Sequence, residues 1–124
     1  MCKIGFIGPA ASSPKALILR ILSEYIEQYK VFDVVGELYW NDFSLALFAA
    51  AKEKKLNTIG FTTQLYGMFE LVNEPVLVSS QEYDSMLITF CDIIVFFRNS
   101  DFVDSRIDLA KQENKEIREI YALS

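Results

Sequence analysis

Carboxylates are the side chains of this sequence that could do acid–base chemistry. The 124-residue chain contains no histidine, which excludes Ser-His-Asp and Cys-His catalysis. Acids follow predicted strands or begin predicted helices at four places, namely Glu37, Asp42, Glu82 and Asp84. Glu37 and Asp42 are the candidate catalytic pair, because two carboxylates can cleave an N-glycosidic bond, one acting on water or the sugar and the other protonating the leaving base. The alternative is that Asp42 and Glu82 only cap helices.

A loop of small residues near the N-terminus is the first candidate ligand-binding element. The apolar run K-I-G-F-I-G at residues 3–8 leads into Pro9-Ala10-Ala11-Ser12-Ser13-Pro14 and then into an amphipathic segment. A strand that opens into a helix through small residues can present backbone N–H groups to a phosphate. Ser13 is the expected N-cap, with Pro14 at the first helical position. The alternative is a tight strand-to-helix turn with no ligand.

Composition limits the class of protein. The chain is long enough for one domain, residues 1–124, and its 52% hydrophobic content is that of a globular protein. A net charge of −5 argues against nucleic acid as a partner. Cys2 and Cys91 suggest neither a disulfide framework nor a metal site, so a reduced, cytoplasmic setting is expected. No leader, membrane span or cofactor is predicted.

Short apolar runs alternate with segments of helical periodicity, which is typical of βαβ proteins. The predicted strands are 3–7, 32–36, 58–62, 76–78, 92–97 and 116–123. The predicted helices are 14–30, one capped by Asn41 or Asp42, one from a capping box at 79–82 through Phe90, and 102–113. The fold class is therefore α/β, a three-layer domain with a mostly parallel sheet.

Two features of this pattern predict the core. The run at 93–97 is continuous and β-branched, as expected of a central strand that is buried on both faces. On the first helix, Leu17, Ile21 and Tyr25 recur at four-residue spacing and are expected to face the sheet. A second row at four- and three-residue spacing completes this inward stripe: Ile18, Leu22, Ile26 and Tyr29.

Aromatic residues in the loops have two readings. Tyr39 and Trp40 follow the second predicted strand, and Phe102 begins the last predicted helix. Such rings could stack on a base or a sugar. They could equally be buried or anchor a contact between subunits, and together with the high apolar content they predict a homo-oligomer.

Four blocks of the chain carry a family resemblance: 4–13, 35–42, 83–97 and 106–115. They resemble the SLOG superfamily, the Rossmann-like fold of the DNA-processing protein A family and the LOG phosphoribohydrolases. Where the family turn reads S-G-G-A-x-G-x-D, this chain keeps Gly36 and Asp42 but has Glu37 and Trp40 at the other two glycines. Tyr83-Asp84 replaces the family's Arg-Asn, and Phe102-Val103 its Gly-Thr.

The resemblance implies a nucleotide- or nucleoside-binding domain, with N-glycosidase-type activity as a further option. The alternative is a catalytically silent interaction or assembly module of the same fold. Loss of glycines and of an arginine disfavours phosphates, so a nucleoside, a base or a monophosphate is the expected ligand. The predicted ligand-binding residues are Gly8, Pro9, Ala10, Ser12, Ser13, Gly36, Trp40, Asp84, Ser100 and Asp101.

Overall fold

The computed structural model describes residues 1–64, 69–98 and 104–121. Within them the chain alternates six strands with four α-helices, as the apolar pattern predicts. The strands are β1 (Lys3–Ile7), β2 (Asp33–Glu37), β3 (Asn57–Thr62), β4 (Glu74–Leu77), β5 (Ile93–Arg98) and β6 (Glu116–Tyr121). The helices are α1 (Lys15–Tyr29), α2 (Asp42–Glu53), α3 (Tyr83–Phe90) and α4 (Arg106–Gln112), and a 3₁₀ turn at Phe69–Leu71 precedes β4.

All six strands are parallel and lie in the order β4-β3-β2-β1-β5-β6. The chain builds outward from β1 to β4, and α3 then carries it back across the sheet to β5. The strand order therefore reverses between β1 and β5. In open parallel sheets, ligands bind outside the carboxyl ends of the strands at such a reversal.

Helices cover both faces of the sheet, which makes three layers. One apolar cluster joins α1 and α2 to one face, and a second joins α3 and α4 to the other. β5 pairs with β1 on one side and β6 on the other, and its residues 93–97 are buried, so the prediction of an interior strand is confirmed. The α/β, mostly parallel fold class is likewise confirmed, the sheet being parallel throughout.

The buried stripe of α1 follows the predicted spacing. Ile21 and Tyr25 are buried, and Leu17 is half-buried. In the neighbouring row Ile18 and Leu22 are buried, because a helix on a wide sheet buries positions on both sides of the central row.

Helix starts are where prediction and structure differ. Pro14, not Ser13, is the N-cap of α1, and no side chain caps the helix; the Ser13 carbonyl instead accepts from Lys15 N–H at 2.9 Å. The predicted capping box at 79–82 does not form either, since α3 begins at Tyr83 without a side-chain cap. Asn41 caps α2 as predicted, its side chain accepting from Ser44 N–H at 2.9 Å.

Candidate functional site

An ion-pair cluster lies at the carboxyl edge of the sheet. Glu37 ends β2, Asp84 is in the first turn of α3, and Asp104 and Arg106 lie just before and at the start of α4. Arg106 contacts all three carboxylates, so it joins segments that are far apart in sequence. We refer to Glu37, Tyr83, Asp84, Asp104 and Arg106 as the edge cluster.

The guanidinium of Arg106 has every N–H donor engaged. NH1 donates to Glu37 Oε2 at 2.8 Å and to Asp84 Oδ1 at 3.3 Å, and NH2 donates to Glu37 Oε1 at 3.0 Å and to Asp104 Oδ2 at 2.6 Å. Nε donates to Asp104 Oδ1 at 2.9 Å. A guanidinium has five donors, and these five bonds use them. Arg106 cannot bind an anionic ligand without releasing a carboxylate.

Burial and charge fix the protonation states within the cluster. The side chains of Arg106 and Asp104 are only 17% and 8% exposed. Burial raises the pKa of Asp104, but the hydrogen bonds and charge of Arg106 outweigh burial and hold that pKa below its ordinary value. For Arg106, burial alone would lower the pKa, but the hydrogen bonds to Asp104 and Glu37 outweigh burial and raise it. Asp104 and Arg106 are therefore both charged at neutral pH.

Tyr83 closes the cluster on its inner side. Its hydroxyl lies 2.9 Å from Glu37 Oε2 and 3.2 Å from the Phe61 carbonyl oxygen. Burial, followed by the charge of Glu37, raises the pKa of Tyr83, so the phenol stays protonated and can only donate to the carboxylate. Both oxygens of Glu37 consequently accept hydrogen bonds from this protein, which makes Glu37 a poor general base in this arrangement.

The cluster carries excess negative charge. One guanidinium against three carboxylates leaves a formal charge of −2. Asp84 is the open member: its side chain is 60% exposed, and Arg106 is its cluster partner through Oδ1. A ligand that donates hydrogen bonds or carries positive charge suits this edge better than a phosphate does.

The loop after β1 contacts the loop after β2 through backbone hydrogen bonds. The Ala10 carbonyl accepts from the N–H groups of Asp42 at 3.0 Å and Phe43 at 3.3 Å. With Ser44 N–H bound to Asn41, the first three amides of α2 all have protein partners. The start of α2 is therefore already satisfied and offers no anion site. Asp42 is exposed in the first turn, where its charge favours the helix dipole.

Gly8 and Gly36 make room for α2. A Cβ on Gly8 would overlap the ring of Phe43, and one on Gly36 would lie 2.5 Å from Leu47 Cδ2. Phe43 in turn packs edge-on against Phe97, with ring centroids 5.2 Å apart. Close helix–sheet packing is thus a sufficient physical reason for both glycines.

The two loop aromatics have different surroundings. Tyr39 packs on Tyr83, with ring centroids 5.9 Å apart, and its hydroxyl lies 3.4 Å from Thr63 Oγ1. Trp40, the one tryptophan of the chain, is 78% exposed. Trp40 is therefore not buried. It projects from a turn that Tyr39 and Asn41 hold in place.

The structure thus brings together only part of the predicted site. Glu37 and Asp84 meet in the edge cluster, and the loop residue Ala10 meets Asp42 through its backbone. Pro9 and Ser12 are half-buried, Ser13 is exposed, and Ser100 and Asp101 lie outside the described residues. The role of Arg106 was not predicted. The available signal was an arginine at the start of α4, at the edge where the predicted acids lie.

Other chemistries have less support among the residues that the structure describes. No group of three or more acids or cysteines there could hold a metal ion. Burial raises the pKa of the Cys91 thiol to about 12, so it is not a nucleophile at neutral pH. Across the described ranges, no helix is both long and apolar enough to span a membrane.

Comparison with known proteins gives fold relatives only. No family model matches the chain, and no curated protein is detectably similar. Among solved structures, the molybdenum cofactor carrier protein of Chlamydomonas reinhardtii is similar with a TM-score of 0.74 and 15% identity, over 95% of this chain and 75% of that one. The molybdenum cofactor binding protein of the phototrophic bacterium Rippkaea orientalis is similar with a TM-score of 0.77 and 14% identity, over 98% of this chain and 77% of that one.

A third relative, the structural-genomics target TM1055, gives a TM-score of 0.62 and 12% identity, over 98% of this chain and 94% of that one. Identities this low show the fold and no more. The chain shares a Rossmann-like α/β fold with all three proteins.

Proposed function

We propose that this chain is a SLOG-like domain that binds a small molecule of the nucleoside or nucleotide class at the carboxyl edge of its sheet. The observation that carries the proposal is the exposed Trp40 on a fixed turn beside Glu37. A water-exposed indole on a fixed turn at this edge of a parallel sheet is suited to stacking on a base. Two of the fold relatives are themselves named for a small bound molecule, the molybdenum cofactor.

The charge of the edge cluster narrows the ligand class. Arg106 has no free donor, the amides at the start of α2 are engaged, and the cluster has a formal charge of −2. A triphosphate would be repelled there, whereas a nucleoside, a base or a monophosphate held by its base would be tolerated. Asp84 supplies an exposed carboxylate that can accept from an amino group of the base.

The geometry favours binding over N-glycosidase activity. Catalysis through Glu37 would require Arg106 and Tyr83 to release that carboxylate, and Asp42 is an exposed helix-start acid. Releasing it would break the hydrogen bonds that Arg106 and Tyr83 donate to both oxygens of Glu37. Hydrolysis of a nucleoside or a monophosphate therefore stays the less favoured version of this proposal.

The test is a thermal-shift screen of the wild type with nucleosides, monophosphates and triphosphates. A ligand at 100 times its Kd stabilises the protein by about 2.7 kcal/mol. We expect stabilisation by nucleosides or monophosphates, none by triphosphates, and quenching of the single tryptophan. Trp40→Ala should weaken binding about tenfold, since each stacked base contributes ~1–3 kcal/mol.

Val31→Ala is the matched control, because Val31 is another exposed apolar residue but lies in the turn that leads into β2, at the amino edge. It should leave the affinity unchanged. Equal affinity of wild type and Trp40→Ala would remove the tryptophan from the site. Stabilisation by triphosphates alone would contradict the charge argument.

A second candidate function, an assembly module, is favoured by an apolar groove beside α3. The groove has a volume of about 510 Å³ and is lined by Phe61, Val76, Ser85, Met86, Thr89 and Phe90. Met86 is an exposed large apolar residue on its rim. A second copy of the chain could cover this groove by placing its own α3 there, because a two-fold contact pairs identical surfaces.

We accordingly expect a homodimer at micromolar concentration in analytical ultracentrifugation. Met86→Glu should convert it to a monomer, because two unpaired charges would face each other across the two-fold axis. Val31→Glu, which adds the same charge at the amino edge, should leave the dimer intact. A wild type that sediments only as the 14.2 kDa chain would contradict the assembly proposal.

A further inference from the structure

A polar groove lies at the amino edge of the sheet, opposite the edge cluster. It has a volume of about 450 Å³ and forms between the end of α2, the start of β3 and the 3₁₀ turn before β4. The lining residues are Lys52, Lys55, Leu56, Asn57, Thr58, Glu70, Leu71, Val72 and Asn73. We refer to it as the amino-edge groove. It shares no residue with the candidate site.

The two lysines form one wall of the groove. Lys52 is in the last turn of α2, Lys55 lies in the turn beyond the helix, and both line the groove. Neither forms an ion pair with any carboxylate in the described ranges, although the chain is acidic overall. Both are exposed. This wall can attract an anionic group.

The floor and the far wall present acceptors instead. The Asn57 amide donates to Asp33 Oδ1 at 3.0 Å and to Glu74 Oε2 at 2.7 Å, which uses both of its hydrogens and polarises its oxygen. Glu70 adds a carboxylate to the far wall. The groove therefore presents the Glu70 carboxylate and the Asn57 amide on this side, and a hydrogen-bond donor or a cation is favoured there over an anion.

A hydrogen-bonded clip makes the groove a fixed feature. Asn73 Oδ1 accepts from Thr58 N–H at 2.9 Å and from Thr58 Oγ1 at 3.0 Å, and Asn73 N–H donates back to Thr58 Oγ1 at 2.9 Å. Thr58 is buried, so these bonds hold the 3₁₀ turn against β3. Leu56, Leu71 and Val72 also line the groove and supply its apolar surface.

We propose that the amino-edge groove binds a small amphoteric molecule of the amino-acid class with an apolar side chain. Its carboxylate meets Lys52 and Lys55, its ammonium group meets Asn57 Oδ1 and Glu70, and its side chain covers the apolar surface. Each half of the ligand thus meets complementary charge, which gives specificity for the combination.

The experiment is a titration of the ¹⁵N-labelled chain with L-phenylalanine, followed through backbone amide shifts. We expect shifts confined to residues 52–58 and 70–73. Two half-ligands, 3-phenylpropionate without the ammonium and 2-phenylethylamine without the carboxylate, should each bind at least about fivefold more weakly, as loss of ~1 kcal/mol implies. A half-ligand that binds as well as phenylalanine, or an absence of shifts in the groove, would overturn the proposal.

Charge variants supply the matched comparison. Lys52→Gln with Lys55→Gln should weaken phenylalanine binding about fivefold, because two exposed charge contacts are lost. Lys54→Gln removes a lysine from the same turn that does not line the groove, and it should change the affinity less than about twofold. An equal effect of Lys54→Gln would show a general charge effect and overturn the proposal. Amide shifts at the edge cluster instead of the groove would do the same.

Discussion

Ile21→Asp is expected to abolish folding at room temperature. Ile21 is fully buried between α1 and the sheet, in the apolar cluster that also holds Phe32 and Val34. The substitution deletes that packing and places a carboxylate where no cation is within the cluster. Loss of the core side chain costs about 2–5 kcal/mol and the unpaired buried charge about 3–5 kcal/mol more, a total comparable with the ~5–15 kcal/mol that holds a domain together.

Two further variants isolate the cause. Gln28→Asp introduces the same charge at an exposed position of α1 and should change the free energy of unfolding by less than about 0.5 kcal/mol. Ile21→Val keeps the site apolar and should lose about 1 kcal/mol. The measurement is urea denaturation followed by circular dichroism. A cooperative transition in Ile21→Asp at the wild-type midpoint would show that this face of α1 does not carry the core.

The fold was predictable because its signals are local. The continuous apolar run of β5 and the four-residue spacing of Ile21 and Tyr25 each report burial within a few residues of sequence. Helix starts were predicted less well because capping depends on the backbone angles of one residue. Pro14 has φ −84° and ψ 58°, which puts it outside the helix and leaves the Ser13 hydroxyl without a capping role.

The sequence predicts which edge of the sheet holds the candidate site, but not the contacts within the site. The alternation of strands and helices predicts parallel strands, whose carboxyl ends share one edge, and this places Glu37 and Asp84 at the same end of the sheet. The pairing of Glu37 with Arg106 joins residues 69 positions apart, and no local pattern encodes such a contact. The purpose of Gly8 and Gly36 was also hidden in the sequence. Glycine leaves room either for a phosphate or for a helix, and only the positions of Phe43 beside Gly8 and Leu47 beside Gly36 distinguish the two.

Arg106→Met is expected to lower the free energy of unfolding by about 3 kcal/mol at pH 7, because it leaves charged groups without their partner. Asp104 is buried and Glu37 is only 19% exposed, so water replaces the lost guanidinium poorly. A loss of this size lowers the melting temperature of a domain of this length by about 10 °C. Arg118→Met removes an arginine from the exposed pair with Glu24 and should lose less than about 1 kcal/mol.

The pH dependence distinguishes lost charge pairing from lost packing. In the wild type, the pKa of Asp104 lies below its ordinary 3.8, so the stability this group contributes is fully present above about pH 4 and is lost as the pH falls through the lowered value. In Arg106→Met, burial without a cation raises the pKa of Asp104 above that of the unfolded chain. The cost of keeping Asp104 charged in the folded variant is then present at pH 7, and it is relieved as the pH falls toward 5 because Asp104 takes up a proton.

The gap in melting temperature between wild type and Arg106→Met should therefore narrow between pH 7 and pH 5. Asp104→Asn in the Arg106→Met background should recover part of the loss at pH 7, because it removes the buried charge that the first substitution exposed. A gap that stays constant with pH would assign the loss to packing of the arginine stem. In that case, the edge cluster would not hold Glu37 and Asp104 by charge, and the ligand class proposed from its charge would lose its physical basis.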